Sequence, residues 1–105
     1  MLTATIASGA SLSDEVRVPG GKAVVVIQMP ASWTTANLTF QVSLDGANYY
    51  NLYDDLGGEV TVNAAASRII RLVPADWWAA PFLKIRSGTS GTPVNQAGDR
   101  SITLY

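Results

Sequence analysis

The side chains best placed to do chemistry are four carboxylates and an amide gathered around two turns: Asp45, Asp54, Asp55, Glu59 and Asn48. Ca²⁺ takes about six to eight oxygen ligands, so a calcium site is one interpretation. The spacing matches no EF-hand loop, however, and Asp and Asn commonly form turns by binding their own backbone. Asp54 and Asp55 are adjacent on a strand and would point to opposite faces, which argues against a glycosidase pair. The pattern favours turn chemistry, and we expect no metal.

The chain contains neither histidine nor cysteine. Histidine is the commonest general base near neutral pH, and thiolates and imidazoles are the usual zinc ligands. No Ser-His-Asp or Cys-His pair, ordinary zinc centre or disulfide can therefore form. A carboxylate pair or a lysine nucleophile remains for catalysis. We expect a protein that is not an enzyme and that uses no cofactor.

The aromatic residues are open to three interpretations: they fill the core, they form a subunit interface, or an exposed subset stacks on sugar rings. Trp77 and Trp78 are adjacent, and two neighbouring side chains of this size can hardly both be buried. We therefore expect this pair to be exposed.

Most of the cations lie in the second half of the chain: Arg68, Arg71, Lys84, Arg86 and Arg100. The last three come from predicted strands that could be neighbours, so they could form a modest positive face, either solvated or contacting an acidic partner. A net charge of −1 and the absence of a basic run argue against nucleic-acid binding.

Composition indicates a globular chain with an unusually uncharged surface. The 105 residues are predicted to form one domain, 1–105, with 48% hydrophobic and only 14% charged residues. Soluble monomer surfaces usually carry roughly 25–35% charged residues, so we expect a protein partner to cover part of this one; an ordinary polar surface of Ser, Thr and Asn is the alternative. No apolar run is long enough to span a membrane, and the first residues do not resemble a signal peptide. We expect synthesis in a cytoplasm.

The elements that position these side chains are predicted to be β-strands. Residues 38–55 describe a hairpin: Leu38, Phe40, Val42 and Leu44 alternate with polar residues, and Asp45-Gly46 follows as a turn. Other short strands are predicted at 2–6, 23–29, 59–62, 68–72, 82–86 and 100–105. About eight short strands at this spacing predict an all-β, single-domain antiparallel β-sandwich that is jelly-roll-like.

Four segments have predicted positions in that sandwich. The apolar run 23–29 is expected to be a central strand covered on both sides, or covered on one side and facing a neighbouring subunit on the other. Trp33 is expected to close one end of the core, and 74–78 to form a single helical turn. The Gly/Ser/Thr-rich loop 87–99 is long for a compact domain and is therefore predicted to be functional or flexible.

Several stretches together resemble small virion proteins encoded in the structural modules of tailed bacteriophages and prophages. They are SLDG at 43–46, YNLYD at 50–54, PAD at 74–76, LKIRSGT at 83–89 and PVNQ at 93–96, and the resemblance extends from about residue 4 to residue 104. It implies a β-sandwich module that decorates or cements a head, or sits on a tail or collar. Such a module works in the virion, as a homo-oligomer or in several symmetric copies.

Two functions follow as expectations. The first is a capsid decoration module that contacts the major capsid lattice through Trp77, Trp78 and residues of the 87–99 loop, namely Ser87, Thr89, Pro93, Asn95 and Gln96. The second is a tail, collar or fibre accessory module that binds host-surface carbohydrate through exposed aromatic side chains.

Overall fold

The computed structural model describes residues 1–20, 22–73, 77 and 80–105, and these residues form eight strands. They are β1 (Leu2–Ile6), β2 (Val16–Arg17), β3 (Val26–Gln28), β4 (Leu38–Ser43), β5 (Tyr50–Asn51), β6 (Ile69–Arg71), β7 (Phe82–Ser87) and β8 (Arg100–Leu104). Within the described residues, no helix has the length and apolar character needed to span a membrane.

The strands pair in a nested order, first with last. β1 pairs with β8, β2 with β7, β3 with β6 and β4 with β5, and every pair is antiparallel. Pairing of β3 with β8 and of β4 with β7 completes a first sheet, β1-β8-β3-β6, and a second sheet, β2-β7-β4-β5. Two four-stranded sheets wrapped in this way form a jelly roll. The predicted all-β sandwich of about eight strands is therefore confirmed.

The core lies between the sheets, where the period-two alternation of the sequence places its apolar side chains. On the second sheet, Leu38 and Phe40 of β4 and Leu83 and Ile85 of β7 are fully buried. The predicted hairpin is present, since β4 pairs with β5 in register. Leu44, predicted to face the core, is instead exposed, because the chain leaves β4 after Ser43 to enter the Asp45 turn.

The apolar run 23–29 forms a shorter strand than predicted because it contains a β-bulge. The backbone N–H groups of Val25 and Val26 both donate to the carbonyl of Tyr105, at 2.7 and 3.1 Å. Two residues opposite one shift the alternation by a step, so Val24 and Ile27 are both buried while Val25 is 39% exposed. β3 is central in its sheet, as expected, and the described residues cover only one of its faces.

Two other expectations differ from the structure. Residues 59–62 are not a regular strand but make isolated bridges to β4 and to Tyr53, and the edge strand β2 completes the eight. Trp77, expected to be exposed, is only 2% exposed, and its ring meets the edge of Phe40 at 4.4 Å between centroids. The other residues of the predicted helical turn 74–78, Trp78 among them, lie outside the described residues. Trp33 packs against the core, as expected.

Removal of the Trp77 side chain should destabilise the fold strongly. Truncating a buried aromatic residue costs about 3–5 kcal/mol, so Trp77→Ala should lower the free energy of unfolding by about that amount in urea denaturation followed by circular dichroism. Tyr50→Ala is the control, because Tyr50 is exposed and its loss should change stability by less than about 0.5 kcal/mol. Equal stabilities of the two variants would contradict the place of Trp77 in the core.

Candidate functional site

Four connections meet at one end of the sandwich, because strand direction alternates through both sheets. The chain is tied together there by backbone hydrogen bonds: Gly9 N–H donates to the Gln96 carbonyl over 2.8 Å, and Gly88 N–H to the Asn37 carbonyl over 2.7 Å. The loop predicted to bind a partner is thus packed against its neighbours. The four connections are residues 7–15, 29–37, 52–68 and 88–99.

Gln96 is the centre of this end. It is 1% exposed, and its Oε1 accepts from Thr34 N–H at 2.8 Å and from Arg100 Nε at 3.1 Å. Its Nε2 donates to the Thr34 carbonyl at 3.0 Å and to Ser87 Oγ at 2.7 Å. Buried amides are costly unless they are fully hydrogen-bonded. Gln96 and Ser87 therefore hold the loop end together and present no surface to a partner.

The first half of the 87–99 loop is a short β-arm that extends from β7. Thr89 and Thr92 exchange two backbone hydrogen bonds of 3.2 Å, and Val94 N–H donates to the Ser87 carbonyl over 2.8 Å. Gly88 has a φ of 89°, and a Cβ there would lie 2.5 Å from the Thr92 carbonyl oxygen. Only glycine fits this crossing.

The seven residues predicted to contact a partner therefore divide into three groups. Trp77, Ser87 and Gln96 are buried, so they are removed from the surface available to a partner. Pro93 and Asn95 are exposed and Thr89 is half-buried, on or beside the arm. Trp78 lies outside the described residues.

Arg86 is a buried cation, although the period-two alternation of β7 places it on the outer face of the second sheet. It is 7% exposed. Its Nη2 donates to Asn51 Oδ1 at 2.6 Å, and its Nη1 donates to Glu59 Oε2 at 3.5 Å and to Thr39 Oγ1 at 3.3 Å. The prediction that Lys84, Arg86 and Arg100 form one positive face is wrong. Lys84 and Arg86 are on β7 of the second sheet, whereas Arg100 is on β8 of the first. The connection 52–68 supplies Glu59 and covers Arg86, and no local sequence signal predicts that crossing.

The rest of the outer face of the second sheet is occupied by pairs between its own side chains. Lys84 Nζ lies 4.4 Å from the centroid of the Tyr49 ring, whose hydroxyl donates to Glu15. Arg17 lies 5.8 Å from the centroid of Phe82. These contacts cover aromatic rings with cations. Burial, the hydrogen bond to Glu15, and then the negative charges of Glu15 and Asp45 raise the pKa of Tyr49 to about 12.

Two members of the acidic group, Asp45 and Asp54, accept hydrogen bonds from the backbone of their own turns. Asp45 Oδ1 accepts the backbone N–H groups of Ala47 and Asn48 at 2.8 and 2.9 Å, and these bonds hold the pKa of Asp45 well below its ordinary range. Asp54 Oδ1 accepts from Leu56 and Gly58 N–H at 3.0 and 2.9 Å. Among the described residues, no group of three or more His, Cys, Asp or Glu is arranged to hold a metal.

The outer face of the first sheet is different, because it carries very little charge. Register places Thr3 beside Thr103, Thr5 beside Ser101 and Gln28 beside both Thr103 and Ile69. Of the strand residues directed outward on this face, Arg71 alone is charged. Exposed apolar or aromatic side chains stand on it or at its margin: Met1, Val25, Ile69, Val73 and Tyr105. This broad, charge-poor face is the candidate interaction site that sequence reasoning did not locate.

A side chain at position 88 should destabilise the protein. Gly88→Ala forces a positive φ and a clash with the Thr92 carbonyl, so the free energy of unfolding should fall by about 2 kcal/mol or more. Gly91→Ala is the matched control in the same arm, because Gly91 has open space around it. Chemical denaturation of both variants measures the difference, and unchanged stability of Gly88→Ala would contradict the arm geometry.

Tyr49 should ionise at a higher pH than an ordinary tyrosine. Its pKa of about 12 exceeds the ordinary 10.0, so the stability it contributes is complete below pH 10 and is lost as pH rises through about 12. A titration that follows the ultraviolet absorbance of tyrosinate should resolve one late step in the wild type. Glu15→Gln should move that step downward by removing the charge beside the hydroxyl. Absence of any late step, with Tyr49 ionising near the ordinary pKa of 10.0, would contradict the Tyr49–Glu15 contact.

Comparisons with protein-family models, with curated proteins and with solved structures found no match to this chain. A jelly roll by itself assigns no function, because one fold hosts many. Function is therefore inferred from the two outer faces of the sandwich and from its loop end.

Proposed function

We propose that this chain is a non-enzymatic virion structural protein of a phage, which binds the major capsid lattice as a decoration module. The observation that carries the proposal is the charge-poor outer face of the first sheet. Partner-binding surfaces are depleted in charged residues at their centre and enriched in aromatic residues and Met. Jelly rolls are also frequent in viral capsid proteins, and this fold-level analogy supports the proposal.

The outer faces of the two sheets differ in charge, and this difference indicates which face would bind a partner. On the second sheet, cations are already paired with Glu59, Tyr49 and Phe82 of the same chain. On the first sheet, Thr3 and Ser101 are exposed, and the outward-directed residues of β1, β8 and β3 carry no charge. A partner can cover these three strands without burying an unpaired charge, which is a main penalty in association.

Repetition of the same binding site over a capsid lattice would add to the affinity of each single interface. A capsid lattice presents the same site many times, so each copy needs only a modest interface and copies placed by symmetry can also touch one another. The exposed Pro93 and Asn95 of the loop end would then be available to a second subunit. The protein would be located in the virion after synthesis in the host cytoplasm.

A second candidate rests on two exposed aromatic side chains. Tyr50 is 71% and Tyr53 is 52% exposed, and Asn51 between them offers its amide Nδ2 beyond the bond its Oδ1 accepts from Arg86. Aromatic faces with nearby amides can bind sugar rings. A tail, collar or fibre module that binds host-surface carbohydrate is therefore the alternative.

A charge placed on the outer face of the first sheet should abolish most binding to heads. Thr3→Glu would bury an unpaired carboxylate at the interface, so its affinity in co-sedimentation with heads that lack the protein should fall at least about tenfold. Gln41→Glu adds the same charge to the outer face of the second sheet and should bind as the wild type does.

Saturable wild-type binding at a fixed copy number per capsid protein is the result expected of a decoration module. Equal loss in both variants would contradict the choice of face. Absence of wild-type binding to heads, together with quenching of tyrosine fluorescence by host polysaccharide, would favour the carbohydrate-binding alternative.

A further inference from the structure

β6 lies at the edge of the first sheet, and some of its backbone groups have no hydrogen-bond partner among the described residues. Met29 N–H donates to the Arg68 carbonyl and Leu72 N–H to the Val25 carbonyl, both over 2.8 Å. In an antiparallel ladder, alternate residues bond to the same neighbour, so the N–H and C=O groups of Ile69 and Arg71 point away from β3. No residue of the described part of the chain bonds to them. An exposed edge of this kind is a template for another strand.

An apolar groove runs beneath that edge. It has a volume of about 270 Å³ and lies between β6 and residues 60–63, on the side of the core. Its apolar lining comes from β6 and the residues that follow it, from the connection 52–68 and from Trp77: Val60, Val62, Ile70, Leu72, Val73 and Trp77. A strand added antiparallel to β6 would place the residues opposite Ile70 and Leu72 on the same face as those side chains. Alternate side chains of the added strand would then enter the groove.

Charge decides what kind of strand fits. Arg71 of β6 and Arg68, which directly precedes the strand, are exposed, and among the described residues the one salt bridge joins Arg86 to Glu59. Pairing β6 with β6 of a second copy would bring four arginine side chains together, and like charges on an edge strand oppose such pairing. A strand with acidic side chains would instead be attracted.

We propose that β6 accepts an extended segment of a partner protein as a fifth strand of the first sheet. The segment carries small apolar residues at alternate positions, which fill the groove, and acidic residues beside Arg68 and Arg71. Backbone bonds to Ile69 and Arg71 supply affinity, while the groove and the arginines supply selectivity. The identification of the partner as a virion protein rests on the proposed function. The strand-accepting edge is argued from the structure independently of that function.

A labelled peptide tests the edge directly. The probe is a fluorescein-labelled heptapeptide, Asp-Val-Thr-Val-Thr-Val-Asp, titrated with the protein by fluorescence anisotropy. We expect saturable binding, amide chemical-shift changes centred on β6, and at least about tenfold weaker binding by Arg71→Glu. Arg17→Glu, a charge reversal at the edge of the other sheet, should bind as the wild type does. A peptide N-methylated at alternate residues, which lacks the donors but leaves the protein unaltered, should not bind.

Several results would overturn the proposal: no saturable binding up to about 1 mM peptide, equal binding of the N-methylated peptide, or chemical-shift changes away from β6. A dimer in sedimentation equilibrium that Arg71→Glu dissociates would assign the edge to a second copy instead, and would overturn it as well.

Competition on phage heads separates this proposal from the proposed function. Excess peptide should displace the bound protein from heads, and the N-methylated peptide should not. Heads that bind the protein without displacement by peptide would contradict the role of the edge and leave the decoration role intact. Peptide binding without any binding to heads would contradict the decoration role and leave the strand-accepting edge intact.

Discussion

Pairing of the first strand with the last organises the whole molecule. Once Leu2 lies opposite Leu104, β8 has a second edge, and β3 occupies it. The nested pairs β2–β7 and β4–β5 then form the facing sheet. Every apolar side chain that alternation directs inward depends on this closure, because neither sheet can bury its face alone. The core is therefore a product of contacts between residues that are distant in sequence.

When the two sheets close on each other, polar groups lie between the crossing loops. Two buried side chains form hydrogen bonds with these groups. Gln96 joins loops that arrive from β3, β7 and β8, and Arg86 joins β7, β4 and the connection 52–68. Networks of this kind are stabilising only when every member is bonded. No side-chain nitrogen or oxygen buried in the described residues lacks a partner. The loop end is consequently a rigid platform, and variation is most easily tolerated at exposed positions such as Asn95.

Local pattern predicted the strands whose side chains alternate, and it failed where distant segments intervene. Leu2–Ile6 and the β4–β5 hairpin could be predicted because one face of each is apolar. The bulge at Val25 could not, since it is defined by the Tyr105 carbonyl across the sheet. The burial of Trp77 and Arg86 depends on which segments cover them. The charge-poor face was hidden for the same reason: Thr3 and Thr103 are neighbours only after β1 and β8 pair.

The position of β8 between β1 and β3 has a consequence for how the protein is made. During translation, the first sheet lacks its second member until residues 100–104 have left the ribosome, so β1 and β3 cannot yet be joined. The apolar faces of β1 and β3 stay exposed until then, so this sheet cannot be completed before residues 100–104 have been made. Correct synthesis of residues 100–104 therefore matters more for this fold than it would for one whose strands pair in sequence order.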